Sequence, residues 1–440
     1  MPEISQYRLT EVEPLGSRSQ LIEEKVTHNE STPGSEKFST WDLYPGQKTE
    51  LPVINVPIDL PLYRMSNGRT QTMQLEWLSE NDTSDDFFKN GQEDIEAQRQ
   101  QHEFLFSQAQ REIEGSTAKI IDVIASQGQT EPLIISKQGI VLNGNRRLAA
   151  MRELFAEDST TYSNFGNIRV AVLPPLSEQE ELEFETRLQM QVETRLDYSW
   201  TDEAMVIERH REFNRTFDQI KAIMNERRAS TVENNLNALN EGRRYLRDWL
   251  KKPHAYTELA DKYQIFKDLP KILKDKSSEH QDAIRKIQWA LINAQQSNQL
   301  EGRIYAVSNC VLPRAPELVS RIVGIDESSL DNDELDDLDF EVSGQDATFR
   351  NFADSVTNDS AGEAIRVSVT EHAVSIYDDH TGRQSAETPL KNVVKANAIL
   401  QGVQISKAAE NTLEQLSAQL EAIAINAKNL LTKVKDRKDS

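Results

Sequence analysis

The chain holds a single cysteine, Cys310, in 440 residues, so no internal disulfide framework is open to it. That scarcity suits a reducing compartment. No apolar run approaches the roughly 18 residues of a membrane span, and no basic-then-apolar leader opens the sequence. The expectation is a cytoplasmic protein that does not enter a membrane. A GxxxxGK[ST] loop is missing, which sets aside a P-loop ATPase. His28, His102, His210, His254, His280, His372 and His380 are scattered, and neither a CxxC nor an HxxxH spacing offers zinc a site. Basic residues are also short: 50 Lys and Arg stand against 72 Asp and Glu, a net charge of −22. Such a balance argues against coating nucleic acid by bulk charge.

The charge that is present is unevenly placed. Residues 326–341 (DESSLDNDELDDLDFE) carry nine acids and no base, whereas residues 205–252 carry eleven Lys/Arg against seven Asp/Glu. A locally basic segment in an acidic chain is compatible with DNA contact there, or with an acidic stretch competing for that surface. At this length two or three domains are expected.

The most informative stretch is residues 131–154, EPLIISKQGIVLNGNRRLAAMREL. Pro132 opens an apolar run, Leu133, Ile134 and Ile135, that reads as a buried strand. Gln138-Gly139 is a hairpin turn, and Ile140, Val141 and Leu142 make a second strand. Asn143, Gly144 and Asn145 then turn the chain into a helix that carries Arg146 and Arg147. Glycine lets backbone approach an anion, a first helical turn presents unpaired N–H groups, and two guanidinium forks lie beside them. Phosphate suits that arrangement; an arginine pair on an ordinary solvated helix face is the plainer alternative.

With these residues in view, the stretch resembles the ParB/sulfiredoxin-like domain, whose pattern is helix–Gly–x–x–Gln–Pro–strand–turn–strand–Gly–Glu–Arg–Arg–helix. Upstream, Ile120, Ile121, Asp122, Val123 and Ile124 lead to Gly128 and then Glu131-Pro132. Downstream, residues 168–173 read as the family's next strand. Residues 191–204 (QVETRLDYSWTDEA) resemble its ENxQRxxLSPxEEA box through Arg195, Asp197, Ser199, Asp202, Glu203 and Ala204.

The resemblance implies an α+β fold: a ParB/sulfiredoxin-like N-terminal domain with a small mixed sheet, then a helical helix-turn-helix domain and a helical C-terminal region. It implies a nucleoside triphosphate, CTP or ATP, clamped with Mg2+ between the arginine turn and the box. Residues carried over to phosphate are Gly144, Arg146, Arg147 and Arg195, with Asn143 and Asn145 as further hydrogen-bonding groups. Arg69 and Thr70, in a turn marked by Asn67-Gly68 and shared with Arg64, would form the opposite wall; a surface hairpin is the alternative there. The pattern is also broken. Asn145 stands where the family has the glutamate implicated in hydrolysis, and an amide cannot take a proton from water. Gln191 and Val192 replace Glu-Asn, Glu131 replaces Gln, and Ser136 replaces Arg. No cysteine lies near Gly144, which removes the sulfiredoxin chemistry, and no catalytic residue is assigned.

The remaining chain reads as follows. Residues 1–48 are polar without periodicity, a mobile arm. Residues 49–176 form the nucleotide-binding domain, which includes a strand at residues 53–58 and a helical insertion at 92–127 broken near Gly115-Ser116. Residues 177–325 form a helical domain that starts with a helix over 178–196. Within it, residues 217–224 and 230–239 have the layout of a helix-turn-helix, with Ser230 as N-cap and Val232, Leu236 and Leu239 as the apolar stripe. That layout puts Ser230, Thr231, Asn234 and Asn235 on the reading helix, with Arg227, Arg228, Arg243 and Arg244 as phosphate contacts. The same layout also occurs in scaffolds that never touch DNA.

Residues 326–362 read as an acidic linker, and 363–440 as a small β-hairpin (Ile365, Val367, Val369 with Val374, Ile376) followed by a helix. Leu413, Leu416, Leu420, Ile423, Ala427, Leu430 and Val434 repeat at 3-4 spacing, a seam for a homodimer or for a helix of the same chain. The function expected is a ParB-like DNA-binding protein regulated by a bound nucleotide, in a mobile-element, plasmid-partition or phage-defence setting with partners from the same operon. The alternatives are a ParB-related nuclease or NTPase, and a non-catalytic adaptor.

Overall fold

Six strands and sixteen helices make up the described part of the computed structural model: residues 5–111, 119–190, 199–226, 228–300, 302–324, 342–357, 362–381 and 413–439, with isolated positions from 390 to 405. The architecture is mixed α+β, with a six-stranded mixed sheet in the first 172 residues and helices after it. The strands are β1 Lys37–Tyr44, β2 Gln47–Pro57, β3 Leu62–Tyr63, β4 Leu133–Ile135, β5 Ile140–Asn143 and β6 Asn167–Val172, in spatial order β1-β2-β6-β4-β5-β3. Pairing is antiparallel for β1–β2, β2–β6 and β4–β5, and parallel for β4–β6 and β3–β5.

Period-two alternation splits the sheet's apolar residues between two cores. Ile54, Val56, Leu133, Ile135, Val141 and Val170 face a core shared with helices α1 Leu15–Ser31, α3 Ile95–Ala109, α4 Ile120–Gln127 and α5 Asn145–Glu157. Val53, Ile134, Leu142 and Ala171 face the other side, where Phe184 of α6 Glu178–Gln189 packs. A short α2, Gln71–Glu80, follows β3.

The 1–48 segment corrects the expectation of a mobile arm. Ile22 of α1 is buried in the sheet's core, and Arg18 is wholly buried, donating to the carbonyls of Glu13 and Gln138 and to Glu93. Neither residue sits in an obvious helical repeat, because α1 is anchored by one arginine and a few apolar contacts rather than by a full apolar stripe.

Beyond the sheet, α7 Trp200–Glu212, α8 Phe217–Ile223, α9 Ala229–Arg244, α10 Tyr263–Leu273, α11 Ser278–Gln296, α12 Ile304–Val311 and α13 Ala315–Val323 follow. Met205, Leu239, Tyr245, Phe266 and Trp289 belong to one shared core. Residues 342–357, read from sequence as part of a linker, form α14 (Val342–Thr357). The Phe349 ring stacks on His280 of α11 at 4.1 Å, and Arg350 pairs with Glu279 at 2.8 Å. The acidic run at 326–341 lies outside the described residues.

The hairpin expected after residue 363 is instead a helix, α15 Gly362–Thr381. Val369, Ala373, Ile376 and Tyr377 are its buried positions. That spacing is helical, and the two-residue alternation of Ile365, Val367 and Val369 was a short coincidence on a longer pattern. Residues 1–372 and 373–440 form two compact units. The second ends in α16, Leu413–Asp439, on which Leu413, Ile423, Leu430 and Val434 are exposed. Among the described residues no helix is long and apolar enough to cross a membrane.

Candidate functional site

The hairpin turn between β4 and β5 is closed by its own backbone, Gly139 N–H to Ser136 carbonyl at 2.9 Å. The Ser136 hydroxyl accepts from Gln138 and Ile140 at 3.2 and 3.3 Å. Serine therefore terminates the turn locally, where an arginine would project away from it. After β5 the chain reverses at Gly144, which has φ +99° and caps α5 with its carbonyl. Glycine is required twice over at this point. The conformation is left-handed, and a Cβ would lie 2.5 Å from a Leu133 methyl and 3.1 Å from the Arg147 guanidinium.

Asn145 is buried, and both ends of its amide are in use. Its nitrogen donates to the Val141 carbonyl at 2.9 Å and its oxygen receives the Arg64 backbone N–H at 3.3 Å. The residue expected to hydrogen-bond a ligand is thus a strut between the turn and the residue 63–70 loop. Arg147 leans back over Gly144 toward Glu131, with its guanidinium 3.4 Å from that residue's carbonyl and 3.8 Å from its carboxylate. Desolvation pulls Arg147 below the usual arginine range, while Glu131 opposes the shift. Asn143 and Arg146 remain partly exposed beside the first turn of α5.

The 63–70 loop, expected as the opposite wall, lies against the turn at Gly144, but its side chains turn inward. Arg64 is buried and ion-paired to Glu181 at 2.7 Å and Glu185 at 3.2 Å, both on α6. Thr70 is fully buried. Its hydroxyl donates to the Asn67 carbonyl and accepts from Gln101 at 2.8 Å, so it is closed to a phosphate. Arg69 is held through its backbone, N–H to Asn67 and carbonyl from Gln108.

The start of α7 closes against the same loop. Asp202 accepts from Ser199 at 2.6 Å and from the Thr72 N–H at 3.4 Å, and Arg209 donates to the Ser66 carbonyl at 2.7 Å. Burial raises Asp202 to about 6, against the pull of Ser199, Thr72 and Arg69. Three segments far apart in sequence therefore meet: the 63–72 loop, the turn at Gly144, and the end of the box at 199–204. Arg195, Gln191, Val192 and Asp197 lie outside the described residues. Among the described residues no cluster of three or more His, Cys, Asp or Glu side chains is arranged for a metal ion.

Helices α8 and α9 stand where the helix-turn-helix was expected, and residues 224–226 and 228 are described between them. Thr216 and Gln219 form a reciprocal cap on α8, and Asn225 turns the chain at φ +54°. Ile207, Ile220, Met224 and Val232 pack α7, α8 and α9 together. Helix α9 begins one residue earlier than expected, at Ala229, so Ser230 lies in its first turn and is not the cap. Asn235 is also misplaced by the sequence reading: it is buried, donating to Glu203 and accepting from the Tyr263 hydroxyl.

Arg243 forks onto both oxygens of Glu208 at 2.6 and 2.8 Å and donates to Tyr256, contacts that raise its pKa above the usual arginine range. It is a clamp between helices. The face left to solvent carries Arg228, Ser230, Glu233, Asn240 and Arg244 as exposed residues, with Thr231, Asn234 and Asn237 partly exposed. Arg244 reaches Glu241 only at 3.9 Å. Arg227 lies outside the described residues.

A second polar constellation escaped the sequence reading. His102 and Glu153 bond at 2.7 Å, the Tyr63 hydroxyl meets the other His102 nitrogen at 2.7 Å, and Arg152 lies over the rings of Tyr7 and Tyr63. These residues come from β3, α3, α5 and the irregular segment at Tyr7, so only the fold assembles them. No family model, no curated protein and no solved structure matches the chain.

Proposed function

We propose that the protein binds DNA in the manner of a ParB-like protein, with α9 as the helix that enters the major groove. The carrying observation is the solvent stripe of α9. Ser230, Asn234, Asn237, Asn240 and Arg244 line one side, while Val232, Ala238 and Leu239 are buried on the other. Asparagine amides pair with adenine edges, and arginines at the flanks hold backbone phosphates. A phosphate-bearing ligand such as a nucleoside triphosphate belongs at the first turn of α5 beside Arg146. The clasp of Arg209 and Asp202 on the 63–72 loop links that turn to α7, which packs on α9. Pairing of two copies through the exposed seam of α16 completes this reading.

The test is a selection of bound duplexes by the full chain at about 50 mM salt, followed by titration. Asn234→Ala with Asn237→Ala should weaken the selected site about tenfold to a hundredfold and relax its sequence preference. Arg244→Ala should weaken all sequences alike and lower the salt slope by about 1. Absence of any retained duplex overturns the reading. Titration with the four ribonucleoside triphosphates, with Arg146→Ala as control, tests the ligand separately.

A second reading, a non-catalytic adaptor with this fold, is favoured by one observation. Asn145, Arg64 and Thr70 are all committed to internal contacts. A chain that binds neither duplex nor nucleotide would decide for it.

A further inference from the structure

Residues 5–9 carry no regular secondary structure, yet they are held as a bound peptide is held. The Glu153 carboxylate receives the Gln6 N–H at 2.8 Å, the Tyr7 N–H at 3.2 Å and the Ser5 hydroxyl at 2.5 Å, and Arg99 donates to the Leu9 carbonyl at 2.8 Å. Side chains alternate: Tyr7 and Leu9 turn inward, while Gln6, Arg8 and Thr10 are exposed. The Tyr7 ring lies under the Arg152 guanidinium at 5.0 Å with its hydroxyl on Asp59 at 2.7 Å, and Leu9 is 3% exposed. Generic backbone groups are gripped by fixed side chains, and two pockets take alternate residues. This is the grammar of extended-peptide recognition.

The occupant does not fill its groove. A half-open cavity of about 620 Å³ runs between this segment and Trp77, Phe87, Glu96, Gln100 and Glu103. Its stacked Trp77 and Phe87 rings, 5.3 Å apart, offer an apolar wall that the segment leaves uncovered. Glu96 and Glu103 are exposed on the cavity's lining, Glu96 paired with Arg99 at 2.5 Å, and the one charge the segment contributes is the base Arg8.

We propose that the groove along α3 is a docking site for an extended segment of a partner protein. That segment would carry an aromatic residue, a base and leucine in succession, with a further bulky side chain for the cavity. Residues 5–9 act as its placeholder in cis. A tethered competitor acts at an effective concentration of about millimolar, so the partner segment must displace it.

The experiment uses the full chain and a fluorescein-labelled peptide of residues 5–10, with a scrambled peptide as control. The Tyr7→Ala, Leu9→Ala double variant vacates both side-chain pockets and loosens the segment, and should bind the probe about tenfold or more tighter than the wild type. Adding Glu153→Gln to it should weaken that binding again. In the wild type, millimolar probe should accelerate hydrogen exchange at the Gln6 and Tyr7 amides, a readout that needs no variant. A folded double variant that ignores the probe, or binds the scrambled peptide equally, together with unchanged exchange in the wild type, overturns the proposal.

Discussion

The amide of Asn145 joins the backbone N–H of Arg64 to the carbonyl of Val141, tying the 63–70 loop to the strand that precedes the arginine turn. A carboxylate at this position would have no proton to give Val141. We therefore expect Asn145→Asp to cost about 1–3 kcal/mol, the cost of a buried acceptor left unmade. Urea unfolding measures it, and an unchanged midpoint would refute the strut.

Arg64 bridges that loop to α6 through Glu181 and Glu185, and both Arg64 and Glu185 are buried. Arg64→Met strands the Glu185 charge and should lower stability by about 3–5 kcal/mol. Arg64→Met combined with Glu185→Gln should recover a large part of the loss. A double-mutant cycle with no coupling would show the pair to be incidental.

These two residues show where sequence reading succeeds and where it stops. The hairpin of β4 and β5, the turn at Gly144, α5 and β6 were legible because each rests on local rules: apolar alternation, a left-handed glycine, an uninterrupted helical period. The meeting of the 63–70 loop with that turn was foreseen in outline. The direction of each polar side chain was not, since whether Asn145 or Arg64 faces a ligand depends on groups more than 30 residues away. Asn235 and Arg243 were misread for the same reason. Their partners, Glu203 and Glu208, sit on α7, so a solvent face and a buried face looked alike in composition.

Gly144→Ala should cost at least about 1–2 kcal/mol from the left-handed backbone alone. The new methyl must also displace the Leu133 side chain, 2.5 Å away, and crowd Arg147. Thermal unfolding reads the loss. A variant as stable as the wild type would mean that the turn relaxes freely.

Two of the buried groups on which acid should act have opposite sign. Burial, aided by Arg215, Arg209 and Arg187, lowers His210 to about 3, so its contribution is present above about 6.5 and drains away as pH falls toward 3. Asp202 is raised from 3.8 to about 6, so the folded state takes its proton first and gains stability as pH falls from about 6 to 4. Asp202→Asn removes the compensating gain. Between pH 4 and 6 its unfolding free energy should fall more steeply than the wild type's by about 1.4 kcal/mol per pH unit. Parallel curves for the two proteins would contradict the assignment.

Strand β1 lies outermost in the sheet and caps the hydrogen-bonding edge of β2, with Lys37 and Asp42 distributed along it. Trimming the chain to begin at residue 46 would strip residues 47–53 of the partner that β1 supplies and open that edge to the same strand of a neighbour. Anyone excising the sheet domain should therefore begin upstream of α1. The stretch that looks most dispensable by composition is what covers that edge.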